Sequence, residues 1–167
     1  VHGIRTIMDA RGSDPDKPGE TEADGSATRR KGLALAIKTA DCQPILLAHA
    51  SGEIVAGLHS GWRGSRANYA GQALQEICEH YGTEAREWAA VRGPSLSPGR
   101  AEFVNFDREW GPEFEQYHNK DTRTVDMWRM TRDQLAAAGV RRDNIFSLDM
   151  CTMGMPQFFS YREDRNS

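Results

Sequence analysis

An α/β class, including its α+β variants, with helices packed on a largely buried sheet, is predicted by the pattern of this 167-residue chain. Three observations carry the expectation. Short apolar runs of strand length recur between turn signals, two longer stretches repeat apolar residues at helical spacing, and the two patterns interleave along the chain. At this length a single domain with a substantial core is expected, covering residues 1–167.

The elements follow in order. The stretch from Ala10 to Ala23, with Gly12, Pro15, Pro18 and Gly19 among acidic residues, reads as a surface loop. Leu33–Ile37 and Pro44–Ala48 then suit buried strands, and Ser51-Gly52 makes a turn into a third, Ile54–Leu58. Beyond Gly61-Trp62-Arg63-Gly64, Ser65 is a good N-cap for a helix that buries Ala67, Ala70, Leu74, Ile77, Cys78 and Tyr81 until Gly82 stops it. Ala89–Arg92 reads as a strand running into the loop Gly93-Pro94-Ser95. Asp107 can cap a short helix toward Tyr117, which Gly111-Pro112 breaks or restarts. A longer helix spans about Val125 to Ala138, its Met127, Met130 and Leu135 serving as core filler, with Gly139 at its end. Asn144–Leu148 is a last strand, delivering Asp149-Met150-Cys151-Thr152 into a loop.

Charge and composition exclude several classes. Twenty-one basic and 24 acidic residues give a net charge of −3, and the basic residues are scattered, so nucleic acid is not an expected partner. No apolar run approaches the roughly 20 residues of a membrane span, and the N-terminus lacks the order of a signal peptide. A cytoplasmic location is the expectation. Three cysteines, an odd number without paired spacing, argue against a disulfide framework and read as free thiols.

The residues with chemistry lie around Cys42 and His59. Cys42 sits among turn-forming polar residues and His59 just ahead of a glycine-flanked Trp-Arg, the setting a reactive thiol or a metal site needs. His2, Cys42 and His59 together offer two imidazoles and a thiolate, a set suited to Zn²⁺ with a fourth position left for water. Cys42 as nucleophile with His59 as base uses the same atoms and stays open beside it. Arg63, in a turn entering a helix, can meet a phosphate or carboxylate, or simply pair on the surface. Asp24 and Asp41 can orient imidazoles or move protons, although Asp before Gly is also turn chemistry. His49, His80 and His118 fit ordinary surface or packing roles. Phe159, Tyr161 and Arg162 can line a pocket that stacks a planar ligand, or form a last core strand. The role of Cys151 stays open.

These residues also carry a resemblance. Ala23-Asp24-Gly25, Thr39-Ala40-Asp41-Cys42-Gln43-Pro44, His59-Ser60-Gly61-Trp62-Arg63-Gly64, Gly93-Pro94-Ser95, Cys151-Thr152 and Phe158-Phe159-Ser160-Tyr161-Arg162 match in order the signatures of the YfiH family, also described as the laccase-domain or multicopper polyphenol oxidase family. The match runs from His2 to Arg162.

The resemblance implies a four-layer α-β-β-α sandwich, of the kind shared with a CNF-type bacterial deamidase toxin, and a zinc site formed by His2, Cys42 and His59. Copper can take the place of zinc there. It further implies phosphorolysis of adenosine, inosine and methylthioadenosine together with adenosine deamination, so that a purine nucleoside and phosphate are the expected partners of a monomer or homodimer. Within that reading Cys42, His59, Arg63 and Asp41 are the candidate catalytic residues, and Arg63, Asp24, Phe159, Tyr161 and Arg162 the candidate substrate contacts. The resemblance also implies that the family's N-terminal segment and C-terminal tail are lacking here. After Gly93-Pro94-Ser95 the chain reads Leu96-Ser97-Pro98-Gly99-Arg100-Ala101-Glu102-Phe103 where relatives often carry Cys and Tyr, so substrate preference is expected to differ. A copper-dependent polyphenol oxidase (laccase) is one alternative, but it fares worse on counting, since a multicopper oxidase needs several copper ions held largely by imidazole and three of the five histidines are in unpromising places. A Cys-His hydrolase or deamidase and a noncatalytic zinc-stabilised interaction module are the remaining alternatives, the last lacking a fourth protein ligand.

Overall fold

The computed structural model describes residues 3–9 and 22–164. Its centre is a six-stranded mixed sheet in the order β1-β2-β4-β3-β5-β8. The strands are β1 (Thr6–Ile7), β2 (Gly25–Thr28), β3 (Gln43–His49), β4 (Val55–Ser60), β5 (Trp88–Arg92) and β8 (Ile145–Ser147), with β6 (His118–Asn119) and β7 (Thr124–Val125) forming a separate ribbon. The helices are α1 (Trp62–Arg66), α2 (Tyr69–Tyr81), α3 (Phe106–Glu109), α4 (Met127–Ala137) and α5 (Tyr161–Asp164).

The β3–β4 hairpin sets the frame. Ile45 pairs with Leu58 and Leu47 with Ala56, while Ala90 of β5 lies opposite Leu47. With a side-chain period of two, those residues share one face. They pack against Tyr69, Ala70, Ala73, Leu74 and Ile77 of α2 and Leu135 of α4, all buried in one cluster. The other face carries the row Gly57, Leu46, Val91 and Phe146. Leu46 and Phe146 are each 52% exposed, so this face is covered by little of the described chain. A second large sheet, the partner layer of a four-layer sandwich, is not among the described residues.

A second apolar cluster gathers Leu96, Ala101, Phe103, Phe106, Trp110, Val125, Met127 and Met130, with Trp62 and Cys151 packed against it. α4 joins the two clusters through Met130 and Leu135, which confirms the methionines as core residues. Asp126 caps that helix, its carboxylate accepting from the Arg129 N–H at 2.9 Å. Cys78 packs against the first cluster as expected.

Three expectations need correction. Leu33–Ile37 is not a strand: β4 already has β2 and β3 as its two neighbours, and Ile37 instead lies against the backbone of Gly57, where even a methyl group would come within 2.9 Å of it. The helix expected from Ser65 is two helices, because Asn68 takes a left-handed conformation (φ 55°) between α1 and α2, and Ser65 is an interior residue of α1 rather than a cap. Phe158–Arg162 is not a core strand; Tyr161–Asp164 form a short helix. Gly82 does stop α2, with its N–H on the Cys78 carbonyl. Of the loop expected from Ala10 to Ala23, residues 10–21 lie outside the described residues.

Candidate active site

Cys42 stands immediately before β3, held there by its neighbour. Asp41 has φ 80° and is buried, and its carboxylate accepts from Thr152 Oγ1 at 2.7 Å and from the Arg162 N–H at 2.8 Å. Its carbonyl accepts from the Leu96 N–H at 2.9 Å. One aspartate therefore ties three distant segments around the cysteine. Both carboxylate oxygens are engaged in this, which makes Asp41 a structural organiser of the site.

His59 stands on β4 opposite Pro44, one residue pair inside the end of the hairpin. Extending that register by a residue puts Cys42 on the diagonal of His59, roughly 7–8 Å away between backbones. Strand alternation points His59 away from the core, on the sparsely covered face. Behind the imidazole lies Asp24, only 2% exposed, whose Oδ1 is 3.6 Å from His59 Nδ1. Its carbonyl accepts from the His59 N–H at 2.6 Å, and its Oδ2 accepts from the Gly3 N–H at 2.9 Å.

Burial pushes the Cys42 thiol up to about 11, with the Asp41 charge adding in the same direction. At neutral pH that leaves roughly one molecule in ten thousand as thiolate. A free nucleophile is poorly served by such a setting. A metal ligand is not, because the ion displaces the proton on binding.

The donor chemistry on the described residues is one thiol and one imidazole, which fits zinc or copper. Among the described residues no group of three or more His, Cys, Asp and Glu converges on one point. The third expected ligand, His2, lies outside them, although its neighbour Gly3 is bonded to the carboxylate behind His59.

Directly after β4, α1 carries Arg63, whose guanidinium lies 4.4 Å over the Trp62 ring. Trp62, Arg63, Arg66 and Ala67 line an open depression of about 300 Å³. α1 has only five residues, so the charge on offer to an anion is that of the two side chains rather than of a helix dipole. Beneath, a buried polar chain holds the helix in place: Gln43 Nε2 donates to Ser65 Oγ at 3.3 Å, Thr131 Oγ1 donates to Gln43 Oε1 at 3.2 Å, and Gln134 Nε2 donates to the Ser65 carbonyl at 2.6 Å.

The aromatic candidates divide. Phe159 is 82% exposed, and Tyr161 is also largely exposed. Arg162 lies over Phe103 at 5.3 Å, and Phe103 in turn meets Trp62 edge-on at 6.0 Å. Arg162 and Arg63 are thereby connected through one aromatic rim. Sequence reasoning reaches Thr152 only through the Cys151-Thr152 motif and Phe103 only as the end of the Leu96–Phe103 departure, and gives neither a role; Arg66 it misses, although its place three residues after Arg63 on the same helical face is a signal. His49 packs edge-on against Trp88, His80 pairs with Asp9, and His118 stacks on Phe106, all outside this site. Cys151 accepts from the Ser97 N–H at 3.3 Å, and its strand bridge to Ser95 brings Thr152 to Asp41.

Comparison with known proteins decides the family. The model of a family described as multi-copper polyphenol oxidoreductase laccase matches residues 1–167. The chain belongs to this family. The purine nucleoside phosphorylase YfiH of Shigella flexneri is 32% identical over 154 residues, covering 87% of this chain and 60% of that protein. The purine nucleoside phosphorylase of Xylella fastidiosa strain 9a5c is 32% identical over 177 residues, covering 100% of this chain and 66% of that protein. Among solved structures, YlmD from Geobacillus stearothermophilus superposes with a TM-score of 0.80 at 25% identity, over 99% of this chain and 66% of its own. The Neisseria meningitidis protein NMB0706 does so with a TM-score of 0.77 at 28% identity, over 98% and 67%. This laccase-domain chain thus spans less than two thirds of the length of the curated relatives named here, and shares its α/β fold with these YfiH-type structures. No helix among the described residues is long and apolar enough to cross a membrane.

Proposed function

We propose that this chain carries the metal site and part of the substrate surface of a purine nucleoside phosphorylase that also deaminates adenosine. The observation that supports it most is the placement of Cys42 and His59 on one diagonal of the β3–β4 hairpin, with the Arg63–Arg66 depression on the helix that follows β4, in a chain whose relatives are named purine nucleoside phosphorylases. His2, Cys42 and His59 are the proposed zinc ligands. Bound there, zinc supplies Lewis acidity and a water of lowered pKa, which hydrolytic deamination requires.

The protein groups divide the remaining work. Arg63 and Arg66 neutralise a phosphate, and Arg162 closes the other side of the rim. In phosphorolysis a phosphate oxygen bonds to C1′ of the ribose as the C1′–N9 bond breaks, the electron pair leaving with the purine, which takes up a proton. Paired guanidinium groups favour the positioned anion and the charge that moves in that step. Phe159 and Tyr161 offer exposed rings for the purine face. Asp41 acts by fixing the Cys42 turn rather than by touching substrate. Asp24 stands behind His59, which favours an orienting role over substrate contact. The three free cysteines suit the cytoplasm.

The Cys-His hydrolase reading asks for a thiolate in the resting protein, and a thiol pushed up to about 11 counts against it. Metal analysis of the purified protein, with phosphate-dependent base release and ammonia release measured for wild type and Cys42→Ala, tests the proposal. Zinc near one per chain, with both activities lost in Cys42→Ala, is the expected result. Activity that survives complete metal removal but not Cys42→Ala would turn the reading to the dyad hydrolase. Phenol oxidation with bound copper would turn it to the oxidase.

A further inference from the structure

We infer that Asp24 is a positioning residue that fixes the ring of His59 with its proton on Nδ1 and its lone pair on Nε2, and that it anchors the backbone at Gly3 with the same carboxylate. The inference rests on the proposal that His59 is a metal ligand.

Asp24 is 2% exposed, and among the described residues its Oδ1 makes no hydrogen bond, while its Oδ2 accepts from the Gly3 N–H. A buried carboxylate oxygen left unpaired costs about 1–3 kcal/mol, more when charged. The polar atom standing before it is His59 Nδ1, at 3.6 Å. A carboxylate only accepts hydrogen bonds, so the nitrogen facing it is favoured as N–H, and a neutral imidazole with its proton on Nδ1 has its lone pair on Nε2. Histidines that bind metals ordinarily carry such a partner on the second nitrogen, which sets tautomer and ring direction.

The backbone gives the arrangement its precision. Asp24 and His59 lie where β2 meets β4, with Gly25 opposite Leu58, and the Asp24 carbonyl takes the His59 N–H at 2.6 Å. The Asp24 N–H is in turn donated to the Arg5 carbonyl at 2.9 Å. Asp24 thus grips the main chain of His59 and the segment that begins at Gly3, and its side chain reaches both. The His59 ring and the backbone at Gly3, on separate segments, share one anchor.

The substitution Asp24→Asn separates this role from a structural one. Its shape is nearly unchanged, and its single carbonyl oxygen can keep the Gly3 N–H. The amide NH₂ then faces His59 Nδ1 and requires that nitrogen to accept, which moves the ring proton to Nε2.

Ring ¹⁵N correlation spectra of the metal-free protein read the tautomer, with His59→Gln identifying the signal. Wild type is expected with the proton on Nδ1, and Asp24→Asn with the proton on Nε2 and a zinc affinity lower by about 10- to 100-fold in competition with a chromophoric chelator. Cys42→Ala is expected to lose zinc binding yet keep the wild-type tautomer, so failure of the metal site and failure of the Asp24 role give different results. A wild-type proton on Nε2 overturns the inference, and this measurement needs no variant to fold. An Asp24→Asn protein that keeps both the tautomer and the zinc affinity overturns it equally.

Discussion

Gly25, directly after Asp24, is predicted to tolerate no side chain, and Gly25→Ala measures how tightly β2 is seated. A methyl group there would stand 2.5 Å from Tyr69 Oη, 2.6 Å from Leu58 Cδ2 and 3.1 Å from the Gly57 carbonyl oxygen. Carbon contacts are comfortable near 3.5–4.0 Å, so the overlap is about 1 Å with two fully buried side chains. Tyr69 cannot swing aside freely, because its hydroxyl donates to the Arg5 carbonyl at 3.1 Å and meets Thr6 Oγ1 at 2.9 Å. Overpacking of this kind costs about 1–3 kcal/mol, and disturbing two hydrogen bonds adds about 1 kcal/mol each. Against this, alanine restricts the unfolded chain and returns about 0.4–1 kcal/mol. The net expectation is a loss of roughly 2–4 kcal/mol, or about 4–16 °C in Tm for a chain of this size. Urea titration followed by tryptophan fluorescence measures it, with Gly99→Ala as control, since a methyl there meets nothing within 4 Å. Gly25→Ala within 0.5 kcal/mol of wild type would refute the packing argument, as would an equal loss in Gly99→Ala.

Four further expectations follow from particular groups. In metal-free protein the alkylation rate of Cys42 by iodoacetamide, read by mass spectrometry of its peptide, should keep rising about tenfold per pH unit beyond pH 9 and level near 11, because burial holds the thiol protonated; a plateau at 9 contradicts this. The same raised pKa means that the stability Cys42 contributes is fully present below its ordinary value of 9 and is lost as pH rises through about 11, so urea midpoints should fall over that window more in wild type than in Cys42→Ala. Replacing both Arg63 and Arg66 by alanine should raise the KM for phosphate by tenfold or more in steady-state assays, since two guanidinium groups line the same depression. Asp126→Ala should lower stability by about 1 kcal/mol in urea titration through loss of the α4 cap.

What the sequence made legible follows from how local each signal is. Runs such as Pro44–Ala48 and Ile54–Leu58 became β3 and β4 because their residues alternate between a buried and an open face and a tight turn at Gly52 joins them. Leu33–Ile37 has equally strong strand chemistry, yet pairing is settled by which edges are free, and a single sequence does not reveal that. The reverse holds for Gly25–Thr28, a stretch of small residues with little strand preference that becomes β2 because β4 offers it an edge. Asn68 is similar: its side chain folds over Gly71, where a methyl would come within 2.7 Å of Oδ1, and this local contact divides what apolar spacing presented as one helix.

At the site the same distinction separates Asp24 from Asp41. Each precedes or follows turn-like residues, and each reads locally as turn chemistry. Only long-range contacts assign them different work, Asp41 reaching Thr152 and Arg162 far along the chain, and Asp24 reaching Gly3 and His59.

The electrostatics of Cys42 turns on this arrangement. A nucleophilic cysteine is normally activated by a cation or a helix N-terminus that stabilises the thiolate. Here the adjacent residue is an aspartate that cannot turn away, since both of its carboxylate oxygens are held by donors from the loops it organises. Its charge and the burial of the sulfur act together to keep the proton on. The interactions that build the site thus disfavour a free thiolate, and a divalent cation reverses that balance by supplying positive charge directly at the sulfur. Reduced reactivity of the empty thiol and suitability as a ligand are consequences of one structural choice, the fixed Asp41 turn. For that reason a change at Asp41 is expected to disturb the geometry of Cys42 and its proton affinity together, whereas a change at Asp24 acts on His59 and on the backbone at Gly3.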